Sequence, residues 1–148
     1  MKRTLICIPT YNEAENIEAL IRRINAVVPP VVGILVIDDG SPDGTGKIAD
    51  RLKAEGLRVS TLHRAKKMGL GPAYIAGFRW GMAQGFERFI EMDADFSHDP
   101  SFLPRMLQLL EQYDVVIGSR YVPGGGTVNW GIGRKILSLG GSIYSRII

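Results

Sequence analysis

The chain has 148 residues, 45% of them hydrophobic and 22% charged, a balance that suits one globular domain and excludes disorder or a fibrous repeat. Eighteen Lys and Arg against fifteen Asp and Glu leave a net charge of only +3, and the basic residues are scattered from Lys2 to Arg146, which argues against a nucleic-acid-binding face. One cysteine excludes a disulfide framework, and no segment approaches the ~20 apolar residues of a membrane span.

The first apolar run, residues 4–8, is a strand that ends at Pro9. It contains Cys7, which reads as a buried structural thiol and fits a reducing, cytoplasmic setting. Asn12-Glu13-Ala14-Glu15-Asn16 then opens a helix whose Ile17, Leu20, Ile21 and Ile24 recur at helical spacing, and Pro29-Pro30 ends it. A second strand, Ile34 to Ile37, stops at the polar turn Asp38-Asp39-Gly40-Ser41-Pro42-Asp43-Gly44. A helix from about 45 to 55, a strand from about 57 to 62 and a helix from about 72 to 84 follow. Phe89 to Met92 is a fourth strand running into Asp93-Ala94-Asp95, and Pro100 precedes a helix carrying Phe102, Leu103, Met106, Leu107 and Leu110. Val115-Val116-Ile117 is expected as a fifth strand. Strands alternating with helices predict an α/β fold with a mostly parallel sheet covered on both faces, which binds ligands at the carboxyl ends of its strands.

Every predicted strand end except the third carries polar residues suited to an anion-and-metal site. In an extended segment residues i and i+2 point the same way, so Asp93 and Asp95 can converge on a hard cation such as Mg or Mn. Two acids in a turn can also simply cap a helix, but this pair ends an apolar strand of an alternating sheet. Tyr11 offers a flat ring, Glu13 and Asp39 offer acceptors for base N–H or ribose hydroxyl groups, and Gly40 and Gly44 allow tight turns. Glu15 is better explained by the helix dipole. Arg120 and Arg134 can supply charge to phosphates, although either alone could be a solvated surface arginine. His63 and His98 are too few and too isolated for a zinc site or a catalytic triad. Two phosphate-loop patterns fail: Gly44-Thr45-Gly46-Lys47 has Ser41 where the first glycine belongs and Ile48 in place of Ser or Thr, and Gly69-Leu70-Gly71 has Tyr74 at the third glycine position.

Pro9-Thr10-Tyr11-Asn12-Glu13, Asp38-Asp39-Gly40-Ser41-Pro42-Asp43-Gly44-Thr45, Gly69-Leu70-Gly71, Met92-Asp93-Ala94-Asp95-Phe96-Ser97-His98 and Gly118-Ser119-Arg120-Tyr121 stand in an order that resembles the dolichol-phosphate (polyprenyl-phosphate) mannose synthases. These are family 2 glycosyltransferases with a GT-A fold. The resemblance spans nearly the whole chain and implies one Rossmann-like, three-layer nucleotide-diphospho-sugar transferase domain over residues 1–148. It implies that Pro9, Tyr11, Glu13, Ile37 and Asp39 line the nucleotide pocket, that Asp93 and Asp95 hold the metal, that Ala94 contacts the donor and that Arg120 and Arg134 face phosphate groups. Asp95 and Arg120 are then the residues expected to act in catalysis. The implied activity is inverting transfer of a hexose, mannose from GDP-mannose foremost, onto a polyprenyl or dolichyl phosphate, with peripheral contact at the cytoplasmic face of a membrane.

Two rival readings accompany this one. One is a family 2 transferase that uses UDP-glucose or another nucleotide sugar, or one with a sugar hydroxyl or other acceptor, which would need a carboxylate base from elsewhere; the other is a non-catalytic nucleotide-sugar-binding or merely structural α/β domain, which would bind without turnover. Residues 131–148 read as an amphipathic helix whose Ile132, Ile136, Leu139, Ile143 and Ile147 form an apolar stripe without a C-terminal stop signal. The expectation is therefore an incomplete domain, with a stripe that either packs on its own sheet or drives self-association or loose membrane attachment.

Overall fold

A computed structural model describes residues 2–119 together with 122, 126, 131–133, 137, 138, 140 and 141. The chain falls into two compact units, Met1–Asp114 and Val115–Ile148. In the first, β1 (Thr4–Thr10), α1 (Ala14–Val27), β2 (Gly33–Asp38), α2 (Thr45–Ala54), β3 (Ser60–His63), α3 (Leu70–Ala83) and β4 (Arg88–Glu91) follow in strict alternation. A 3-10 turn, Pro100–Phe102, leads into α4 (Leu103–Leu109). The four strands form one parallel sheet in the order β3-β2-β1-β4.

Side chains alternate across the sheet, and the two faces are filled from different helices. Ile6, Ile8, Ile34, Val36 and Ile90 face α1, α2 and α4, which supply Ile17, Leu20, Ile21, Ile24, Leu52, Leu103 and Leu107 to one core. Leu5, Cys7, Leu35 and Ile37 face α3 through Ala73 and Tyr74. Three layers result, and coverage of both faces is why the strands read as continuous apolar runs. Burial pushes the Cys7 thiol up to about 12, with the nearby Glu91 charge adding to the shift, in keeping with an inert core residue. The sheet and α3 approach closely because α3 carries glycine where they meet: a Cβ on Gly77 would stand 2.5 Å from Ile37 Cδ1, and one on Gly81 2.5 Å from Phe89 Cε1.

Two predicted strands differ. The third begins at Ser60 rather than near Leu57, because residues 56–58 close α2. Gly56 takes φ +91, its N–H donates to Lys53 O at 3.0 Å, and the Leu57 N–H donates to Leu52 O at 3.1 Å, the paired bonds of a glycine-terminated helix. Arg58 then caps the end of α1, donating to Pro29 O at 2.7 Å and Asn25 O at 2.8 Å. The fifth strand is not formed: residues 115–119 have no regular structure, and Val115 and Ile117 are 74% and 82% exposed. A three-residue run makes few ladder bonds of its own. In the second unit residues 132, 133, 137, 138, 140 and 141 are helical, with Ile132 and Leu137 exposed; Ile136, Leu139, Ile143 and Ile147 lie outside the described residues.

Candidate functional site

The carboxyl ends of β1 and β2 are stitched together by side chains from both turns. The Asn12 N–H donates to Ser41 Oγ at 3.1 Å, the Glu13 N–H to Thr45 Oγ1 at 2.9 Å and the Ala14 N–H to Asp43 Oδ2 at 3.0 Å. Asp43 also accepts the Thr45 N–H at 3.0 Å and the Thr45 hydroxyl at 2.6 Å. One carboxylate therefore satisfies the first turns of α1 and α2 together, which neither helix does from its own N-cap position. Asp38 is buried and holds the base of the turn, accepting from Thr10 Oγ1 at 3.3 Å and from the Ser41 hydroxyl. Asn12 takes φ +60, a left-handed conformation that asparagine tolerates better than most residues.

Around this frame stand the predicted nucleotide residues. Tyr11 is 39% exposed at the end of β1, beside the half-buried Pro9. Glu13 accepts from Asn16 Nδ2 at 3.0 Å and remains partly open to solvent. Asp39 is 5% exposed and already engaged: Arg64 Nη1 lies 2.6 Å from Oδ1, and the Met68 N–H donates to Oδ2 at 3.3 Å. Ile37 places its side chain in the core against α3, so what it can offer a ligand is main chain.

Beyond β4 the chain bends over residues 94–98, with Met92 and Ala94 buried at 2% and 4% while Asp93 is partly and Asp95 more fully open to solvent. Both carboxylates are therefore open to solvent, and buried Ala94 has only its main chain to present. Asp95 accepts from the Ser97 N–H and the Ser97 hydroxyl, each at 2.9 Å. These bonds, the N–H foremost, hold its carboxyl below the usual range despite partial desolvation, so it is ionised at neutral pH. The Asp93 N–H donates to His98 Nδ1 at 3.1 Å, which makes this imidazole a brace of the loop. Phe96, at φ +60, closes the turn with Arg23 5.4 Å above its ring.

Among the described residues no three His, Cys, Asp or Glu converge. Two carboxylates do not make a closed cage such as zinc or calcium takes. They suit a hard octahedral cation that keeps water and substrate phosphates in its shell, so the donor set fits Mg or Mn. Arg120 and Arg134 lie outside the described residues. A separate recess bordered by Arg3, Leu5, Pro30, Arg58, Trp80 and Phe86 sits at the amino ends of the strands, away from these groups.

Sequence reasoning passed over three participants: Asp43, Arg64 and Lys67. The third strand end is the one expected to lack ligand-facing polar residues, yet Arg64 reaches Asp39 and Lys67 Nζ lies 4.3 Å from the centroid of the Tyr11 ring. The basic run Arg64-Ala65-Lys66-Lys67 directly after the predicted third strand is the available signal.

The family model for glycosyl transferase family 2 matches residues 5–147. The chain is 53% identical over 146 residues to an undecaprenyl-phosphate mannosyltransferase of Micrococcus luteus, covering 99% of this chain and 60% of that protein. It is 50% identical over 149 aligned positions to a polyprenol monophosphomannose synthase of Mycolicibacterium smegmatis, covering 99% of this chain and 56% of that one. The chain therefore spans less than two thirds of the length of these curated relatives. Among solved structures, glucosyl-3-phosphoglycerate synthase of Mycobacterium tuberculosis, in complex with Mn2+, UDP and glucosyl-3-phosphoglycerate, superposes with a TM-score of 0.57 at 27% identity, over 75% of this chain and 40% of that one. With the three-layer parallel sheet, the paired carboxylates after β4 and a family match over nearly the full length, this chain belongs to the family 2 glycosyltransferases, on the GT-A fold.

Proposed function

We propose that the chain is the nucleotide-sugar-binding part of an inverting transferase that moves a hexose, mannose from GDP-mannose, onto a polyprenyl phosphate. The observation that carries this reading is the Asp93/Asp95 pair, outward-facing and beyond the same sheet edge as Tyr11, Glu13 and Asp39, in a chain half-identical to two polyprenyl-phosphate mannosyltransferases. Asp93 and Asp95 would hold the Mg or Mn ion, which supplies countercharge for a departing diphosphate. The Mn2+ and UDP in the solved relative support that chemistry.

The chain's own residues do the positioning. Ser97 keeps Asp95 ionised and aimed, Tyr11 offers its ring to the base, and Glu13 and Asp39 offer acceptors to nucleoside N–H and O–H groups. Arg120 and Arg134 are assigned to the diphosphate by the family resemblance. An acceptor phosphate oxygen forms a bond to the anomeric carbon as the bond from that carbon to the diphosphate oxygen breaks, so configuration inverts in a single displacement. Phosphate is already ionised at neutral pH and needs placement more than a general base. No helix among the described residues is long and apolar enough to cross a membrane, and we place the reaction at a cytoplasmic membrane face through peripheral contact with the lipid acceptor.

Calorimetric titration of GDP, UDP, GDP-mannose and UDP-glucose, with Mn and then with EDTA, tests the assignment. GDP and GDP-mannose should bind in Mn and lose affinity on chelation. Binding unchanged in EDTA removes the metal assignment, and preference for the uridine ligands removes the guanosine donor.

A further inference from the structure

The β3–α3 loop meets the nucleotide residues at every step. The Arg64 N–H donates to Asp38 O at 2.8 Å, extending the pairing of β3 with β2 past His63. Gly40, at φ +72, lies directly beneath: a Cβ there would stand 3.2 Å from the carbonyl oxygens of both Arg64 and Ala65. Arg64 and the Met68 N–H then take one oxygen each of the Asp39 carboxylate. Between these two anchors Lys67 crosses to the β1–α1 turn and sets its ammonium on the Tyr11 ring. Residues 64–83 contain four basic side chains and no acidic one, so no carboxylate of this segment competes for the lysine.

We infer that Lys67 is a positioning residue of the nucleoside subsite, occupying one face of the Tyr11 ring so that the other is held ready for the base. An ammonium is drawn to the negative face of an aromatic ring, and at an exposed site the attraction corresponds to a factor of about two to five in an equilibrium. Tyr11 is 39% exposed and would otherwise sample several rotamers; fixing it beforehand removes part of the ordering cost of binding. The segment that fixes Tyr11 also engages both oxygens of Asp39, so Arg64–Met68 sets the aromatic and acidic elements of the subsite relative to each other. The clamp rests on the nucleotide-sugar reading of this site and adds a residue to it.

The test is titration of the full chain in Mn with GDP and guanosine, and with UDP and uridine, for the parent, Lys67→Met, Lys67→Arg, Tyr11→Leu and the Tyr11→Leu/Lys67→Met double variant. For whichever base the parent binds, Lys67→Met should weaken nucleoside and nucleoside diphosphate by the same factor, about two to five. Lys67→Arg should restore the affinity, and Lys67→Met should add nothing once Tyr11 is leucine. A loss confined to the diphosphate makes Lys67 a phosphate contact and overturns the inference. So does an undiminished effect in the Tyr11→Leu background, or no effect at all while the parent binds. A parent that binds none of the four ligands removes the nucleotide-sugar reading, and the clamp with it.

Discussion

Asp43 is shared by two helices, and its removal should be felt in both. It accepts the Ala14 N–H at the start of α1 and the Thr45 N–H at the start of α2, so Asp43→Ala leaves these two N–H groups without a side-chain partner. The expected loss is about 1–2 kcal/mol, read from urea unfolding. Its carboxyl is held below the usual range: partial desolvation works upward, but the bonds from Thr45 and Ala14 outweigh it. Asp95 and Asp99 are lowered as well, chiefly by the N–H groups of Ser97 and Ser101. A carboxyl lowered by folding stabilises the protein above its unfolded value, about 3.9, and loses that contribution as pH falls through the folded value. Melting temperature should accordingly drop below about pH 4, and less steeply in Asp43→Asn than in the parent. Asp95→Asn separates fold from ligand, since the amide oxygen can still accept from Ser97 while the charge is gone. At neutral pH it should lose only the small charge-dependent part of those bonds in stability, whereas its Mn-supported affinity for GDP should fall by roughly tenfold or more, the loss that even outer partners of a metal cause.

At the scale of elements, α3 is the helix that places the wall of the site. It runs directly from the β3–α3 loop, and its depth on the sheet is set by Gly77 and Gly81. Gly81 leaves no room for a methyl group, with Phe89 at 2.5 Å and Leu5 Cδ2 at 2.7 Å from where it would sit. Helix propensity favours alanine there by about 1 kcal/mol, whereas overpacking costs about 1–3 kcal/mol, so packing decides the sign. Gly81→Ala should lower the urea midpoint, and Gly71→Ala, where nothing lies within 4 Å of the added carbon, should not. α1 and α2 are joined differently, by a ring in which Arg22 and Arg51 each bridge Glu18 and Glu55 at the surface. Exposed pairs of this kind contribute little and are screened by salt, so the buried apolar stripes of these helices carry the packing.

For the first unit as a whole, the site is made of turns that only the parallel sheet brings together: residues 11–13, 38–45, 64–68 and 93–98. A nucleoside diphosphate with its cation would bind the folded arrangement and not the unfolded chain. GDP at about one hundred times its dissociation constant should then stabilise the protein by about 2.7 kcal/mol by mass action. The rise in melting temperature should appear with Mn and shrink in EDTA. An equal rise in both would mean that the two carboxylates contribute nothing to binding.

Period and strand ends are local properties, and they carried the parallel sheet and its cover on both faces. A buried parallel strand must be apolar on both faces, and an extended segment must alternate, whatever it packs against. The tertiary structure alone decided matters that depend on a partner far along the chain. Whether Val115-Val116-Ile117 becomes a strand depends on a neighbour and a cover, which a three-residue run cannot specify. That Asp43 serves α1 as well as α2, and that Arg64 neutralises Asp39, follows from chain crossings of 29 and 25 residues. The placement of Lys67 on Tyr11 is of the same kind, because an exposed lysine has no preferred direction until folding sets an aromatic face within its reach.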